Sequence, residues 1–132
     1  MSRAIESSSP MKVLKAHPDA EETLNLILSR LDDMKAEDTI TIDLRGKSSI
    51  ADYMVVTTGR VNRHVAAIAE NVSKGLGENG IKNIHVEGLQ NADWVLMDCG
   101  DVIVHVFRPE VREFYNLEKM WTSTAKETAR SN

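Results

Sequence analysis

The segment that most limits what this chain can fold into is WVLMDCGDVIVHVF, residues 94–107. Two largely apolar runs, Trp94 to Cys99 and Val102 to Phe107, flank Gly100-Asp101. A glycine at the first central position of a two-residue loop is what a type II′ turn requires, so the segment reads as a β-hairpin. The loop length then fixes the register. Cys99 meets Val102, Asp98 meets Ile103, Met97 meets Val104, Leu96 meets His105, Val95 meets Val106 and Trp94 meets Phe107. One face (Cys99, Val102, Met97, Val104, Val95, Val106) is apolar throughout and is assigned to the core. The other carries Trp94, Leu96, Asp98, Ile103, His105 and Phe107, mixing aromatics and aliphatics with an acid and an imidazole. Two readings fit that second face. A helix of the same chain covers it, making His105 a hydrogen-bonded core histidine and Trp94–Phe107 an ordinary cross-strand pair. Alternatively it is an apolar patch with a charged rim, buried by another protein.

The other periodicities are equally legible. Asp19 is placed to cap a first helix whose apolar stripe is Leu24, Ile27, Leu28, Leu31 and Met34. Thr39 to Leu44 alternates with period two and reads as a half-buried strand, closed by a turn at Gly46 to Ser49. Tyr53 to Thr58 is apolar on both alternations, as in a central strand covered on both faces. Asn62 is expected to cap a second helix with the stripe Val65, Ile68, Ala69, Val72 and Leu76. Gly75, Gly77 and Gly80 are expected at its end, in left-handed backbone. A short strand follows at Ile84 to Glu87. Pro109 suits the first turn of a last helix with Phe114, Leu117 and Trp121 as its apolar face. This predicts an α/β fold: one domain with a mixed sheet of about five strands and flanking helices. The domain is expected at 19–121, between flexible extensions at 1–18 and 122–132.

Sixteen Lys and Arg against twenty Asp and Glu leave a net charge of −4. That argues against a phosphate backbone as direct ligand and suits a basic partner. No run approaches the roughly 18 apolar residues of a membrane span. One cysteine, no secretory signal and no span together predict a cytoplasmic protein.

Motifs for catalysis are weak. Thr58-Gly59-Arg60 joins a strand to a helix, where anions bind, yet matches no Gly-rich phosphate motif. Asp43, Asp98 and Asp101 form no Asp-x-Asp pair for a two-metal site. Cys99 falls on the core face, and His17, His64, His85 and His105 lack zinc-binding spacing. His64 with Arg60 and Arg63 reads as a solvated basic spot. No catalytic residue, cofactor or metal is predicted. The enzyme alternative is a nucleotide-binding or nucleotidyltransferase-like protein using Thr58-Gly59 with Asp43 or Asp98.

Several consecutive motifs resemble the ribosomal silencing factor family, also called the Iojap-like family. They are Ser48-Ser49-Ile50-Ala51-Asp52-Tyr53, Thr58-Gly59, Asn62-Arg63-His64-Val65, Glu87-Gly88, Ala92 to Asp98, Gly100 to Phe107 and Arg112 to Trp121, spanning roughly residues 21–121. One departure is Arg60-Val61, where the family usually has a small hydroxyl residue. The resemblance implies a domain similar to the nucleotidyltransferase fold without its catalytic carboxylates. It implies a translational repressor that binds a protein on the intersubunit face of the large ribosomal subunit and blocks the small subunit when nutrients are short. It also implies a role in large-subunit maturation and self-association as a homodimer. Carried over residue by residue, it favours the interface reading of the hairpin face (Trp94, Leu96, Asp98, Ile103, His105, Phe107). Asp52, Tyr53, Arg112 and Tyr115 would border that surface rather than contact RNA.

Overall fold

The computed structural model describes residues 19–116. Helix α1 (Ala20–Asp33) begins at a reciprocal capping box. Asp19 Oδ1 accepts from the Glu22 amide at 2.9 Å, and Glu22 Oε1 accepts from the Asp19 amide at 3.0 Å. Its inward face buries Leu24, Ile27 and Leu31 as the periodicity requires. Strand β1 (Glu37–Asp43) starts two residues before the alternating run, because Asp38 takes a left-handed conformation (φ +51) and bulges the register between Glu37 and Ile40. Strand β2 (Tyr53–Thr58) is buried at every position.

Helix α2 (Asn62–Glu78) buries Val65, Ile68, Ala69, Val72 and Leu76, the expected stripe. Its start differs from expectation. The N-cap is Val61, whose side chain caps nothing, and Asn62 is the first helical residue. The Asn62 amide instead donates to Asp93 Oδ1 at 2.8 Å and to the Asn91 carbonyl at 2.9 Å. A tertiary partner has displaced the local one. Gly75 and Gly77 lie inside the helix, and only Gly80 of the three has positive φ, at +90°. Gly75 leaves room for the Arg30 side chain of α1.

Three strands follow: β3 (His85–Glu87), β4 (Trp94–Asp98) and β5 (Val102–Phe107). The hairpin register is the one derived from the loop, with every pair from Asp98–Ile103 to Trp94–Phe107 in place. Gly100 has φ +86, and the Cys99 amide donates to the Val102 carbonyl at 2.9 Å. A seven-residue helix, α3 (Pro109–Tyr115), ends the described chain.

The five-stranded sheet has the order β1-β2-β5-β4-β3. Strands β2 and β5 are parallel and the other neighbours antiparallel, so the sheet is mixed. Helices α1 and α2 both pack on one face, against Val55, Val95, Met97, Val102, Val104 and Val106. A smaller apolar cluster (Ile42, Leu44, Ala51, Met54, Val56, Phe107) lies on the other face. Among the described residues α3 is the only helix that reaches that second face, through Val111 beside the Phe107 cluster.

The uncapped start of α2 gives a direct test. Val61 is 57% exposed and already in extended N-cap backbone. Val61→Ser should raise stability to urea by about 1 kcal/mol by satisfying a first-turn amide. An unchanged midpoint would show that the first-turn amides are already satisfied.

Candidate functional site

The strand pairings extend the mixed hairpin face into three rows across the sheet. One row runs Ile42, Met54, Ile103, Asp98, His85 from β1 to β3. The next runs Ile40, Val56, His105, Leu96, Glu87, and the last runs Thr58, Phe107, Trp94. The character changes along each row. Met54, Val56 and Phe107 are buried, Ile103, Leu96 and Trp94 are half-buried, and Asp98, Glu87 and His85 are exposed. The accessible part is therefore an apolar strip along β4 and β5 with an acidic edge at β3. Of the six predicted hairpin residues, Phe107 is fully buried and His105 is 6% exposed, so both lie beneath the strip rather than on it.

Trp94 is held on several sides. Its ring stacks on Phe107 at 5.0 Å between centroids, and Tyr115 of α3 approaches it at 4.9 Å. Its indole Nε1–H donates to His105 Nδ1 at 3.0 Å. The backbone just before it is anchored as well. Asp93 Oδ1 accepts from Arg108 Nε at 2.8 Å and from Asn62, and these partners hold its carboxyl below the usual range. Gly88 has φ +87, and a Cβ there would collide with the Trp94 carbonyl oxygen, so the chain can pass behind Trp94 only as glycine.

The four residues expected to border this surface separate. Tyr115 lies against Trp94, and Arg112 Nη1 donates to the Thr58 hydroxyl at 2.8 Å and the Asp38 carbonyl at 2.6 Å, both at the Trp94 end. Asp52 and Tyr53 are at the opposite end, where both amides donate to the Asp101 carbonyl of the hairpin turn. The Tyr53 ring is buried in the helix-covered core, with the Arg45 guanidinium 5.1 Å from its centroid. Strand alternation, invisible to motif matching, sends it to the other face. Phe114 was expected to face inward. It is 80% exposed, packs edge-on against Tyr115 at 5.1 Å, and α3 buries no residue. Leu117 and Trp121, its expected companions, lie outside the described residues. The line Phe114–Tyr115–Trp94 thus lengthens the apolar strip, an extension that an inward-facing assignment of the helix conceals.

The other candidate chemistries find their donors occupied. The Gly59 amide donates to the Phe107 carbonyl at 2.9 Å, and the Arg60 amide to His64 Nδ1 at 2.9 Å. At the expected solvated basic spot Arg60 and Arg63 are exposed, and Arg60 pairs with Glu37, while His64 is a brace whose Nε2 also bonds the Met34 carbonyl at 2.8 Å. Asp43 is lowered to about 2 by its hydrogen bonds from Arg45. Burial, followed by the charge of Asp98, pushes the Cys99 thiol up to about 12, where it is unreactive. Among the described residues no three His, Cys, Asp or Glu side chains converge to hold a metal, and no helix is long and apolar enough to cross a membrane.

Burial lowers the His105 imidazole from 6.5 to about 4. The unfolded chain therefore binds the extra proton first, and folding stability rises with pH between those values. This contribution is complete above about 6.5 and is lost as pH falls towards about 4. In full it amounts to about 3 kcal/mol. Urea denaturation at pH 7 and pH 4.5 should show most of it lost, and His105→Gln should lose markedly less. Equal losses in the two proteins would contradict the assignment.

The family described as ribosomal silencing factor during starvation matches residues 17–132. A curated Zymomonas mobilis protein named Ribosomal silencing factor RsfS is 50% identical over 114 residues, covering 86% of this chain and 85% of that protein. The mouse protein named Mitochondrial assembly of ribosomal large subunit protein 1 is 30% identical, over 80% of this chain and 48% of its own. A crystal structure of a Chromobacterium violaceum protein superimposes with a TM-score of 0.77 at 39% identity, covering 80% of this chain and 88% of that one. The chain belongs to the ribosomal silencing factor family.

Proposed function

We propose that this protein is a translational repressor that docks the open face of its sheet on a protein at the intersubunit side of the large ribosomal subunit. Bound there, it excludes the small subunit by volume and so damps translation when nutrients are limiting. The observation that carries the reading is the half-buried strip of Trp94, Leu96 and Ile103, edged by Asp98 and Glu87, on a face that neither long helix covers. The names of the relatives, which refer to ribosomal silencing and to large-subunit assembly, support ribosome association and a further part in subunit maturation.

In this reading Trp94, Leu96, Ile103 and Asp98 touch the partner. Phe107 and His105 support Trp94 from below, and Tyr115 with Phe114 continues the contact along α3. Arg112 fixes α3 against the sheet. Apolar burial contributes roughly 25 cal/mol per Å² before the costs of association. The acids speed encounter with a basic ribosomal protein and make it salt-dependent. No reaction is required, so no catalytic group or cofactor has a role. The protein acts in the cytoplasm, contacts no specific nucleic-acid sequence, and pairs with a second copy.

Leu96 is the cleanest probe, because its half-exposed side chain can be changed without breaking a hydrogen bond. Leu96→Glu should stay folded and lose tenfold or more in affinity for purified large subunits, measured by co-sedimentation; that is about 1.4 kcal/mol. Undiminished sedimentation would remove this face from the interface.

A further inference from the structure

We infer that His105 is the positioning residue that sets the Trp94 indole for docking, an inference that rests on the docking role proposed for this face. The bond from Trp94 Nε1–H to His105 Nδ1 requires that Nδ1 carry no proton. The imidazole is therefore held neutral, with its proton on Nε2. His105 also lies nearly parallel to Phe107, at 11° and 5.9 Å, and Phe107 carries the indole on its ring. One hydrogen bond and one shared aromatic support thus fix both the tilt and the rotation of the most prominent anchor on the strip. Phe107 and Tyr115 pack against the ring, and the hydrogen bond to His105 fixes where its Nε1–H points.

A proton arriving on Nδ1 would abolish the bond, since two N–H groups would face each other. The charged and titratable groups on this face bear on that event. Strand β4 contributes Asp98, and β3 contributes Glu87 and His85. Helix α3 contributes Arg112 and Tyr115, and β1 contributes Glu37, which is paired with Arg60. Strand β2 presents Met54, Val56 and Thr58, none of which titrates here. Burial keeps the ring neutral down to acid pH. Trp94 is accordingly locked throughout the neutral range and freed only by acid or by loss of the acceptor.

The test uses full-length protein carrying Trp121→Phe, which leaves Trp94 as its sole tryptophan. The ¹⁵N-labelled indole resonance and the Trp94 fluorescence are followed from pH 8 to pH 3 while far-UV circular dichroism monitors the fold. The expected result is one transition in both Trp94 signals, below the ordinary imidazole range near 6.5, with the fold intact. His105→Gln, whose amide oxygen can still accept, should keep the bonded resonance at pH 7 and abolish the transition. His105→Phe should keep the apolar support but speed indole N–H exchange with water about tenfold or more. In co-sedimentation with large subunits at pH 7.5, the glutamine variant should bind within about twofold of the parent and the phenylalanine variant about fivefold or more weakly. A transition that survives in His105→Gln, or Trp94 signals indifferent to both substitutions, would overturn the positioning role. So would a released indole that docks as tightly as the parent. Failure of the parent itself to bind large subunits overturns the docking reading alone, because the Trp94 titration in the free protein still decides the role of His105.

Discussion

The two-residue turn at Gly100-Asp101 is the constraint on which the rest depends. A side chain at position 100 would resist φ +86. With glycine there, the hairpin closes in a single register, and that register sorts twelve side chains between two faces. A slip of β5 by one residue would send Val104 and Val106 to the other face and bring His105 under the helices. The apolar face pulls α1 and α2 onto one side of the sheet, and among the described residues the only helix on the other side is a short one at one end. The open strip is a consequence of how completely the opposite face is satisfied.

Much of this was legible in the residues, because the deciding interactions are local. The hairpin register, the fully buried strand Tyr53–Thr58, the capping box at Asp19 and the stripes of both long helices follow from neighbours a few positions apart. The departures arise where a distant partner decides. Asn62 gives up its cap to bind Asp93, thirty-one residues away. Gly75 sits inside a helix because Arg30 of another helix needs the space. Arg112 reaches back across the sheet to Thr58, and Tyr53 packs in the helix-covered core although its motif neighbour Ala51 packs on the other face.

The reading of the mixed hairpin face as covered core holds for His105 and Phe107. His105 is a hydrogen-bonded, buried histidine and Trp94–Phe107 is a cross-strand aromatic pair, as in an ordinary core. Yet neither long helix lies over Leu96 or Ile103, and the acids gather at the β3 edge. A buried support beneath a half-exposed anchor is what an interface needs if it is to be ordered before its partner arrives, since preformed geometry reduces the entropy lost on binding. The net charge of −4 fits the same picture. A mildly acidic body can work on an RNA-rich particle when it reaches that particle through a basic protein.

The central claim is that occupancy of the large subunit by this protein is sufficient to keep the small subunit away. Light scattering of purified large and small subunits, mixed with increasing amounts of the protein, measures this directly. The joined fraction should fall in proportion to large-subunit occupancy, with no nucleotide or cofactor added. Full joining by large subunits saturated with the protein would contradict it.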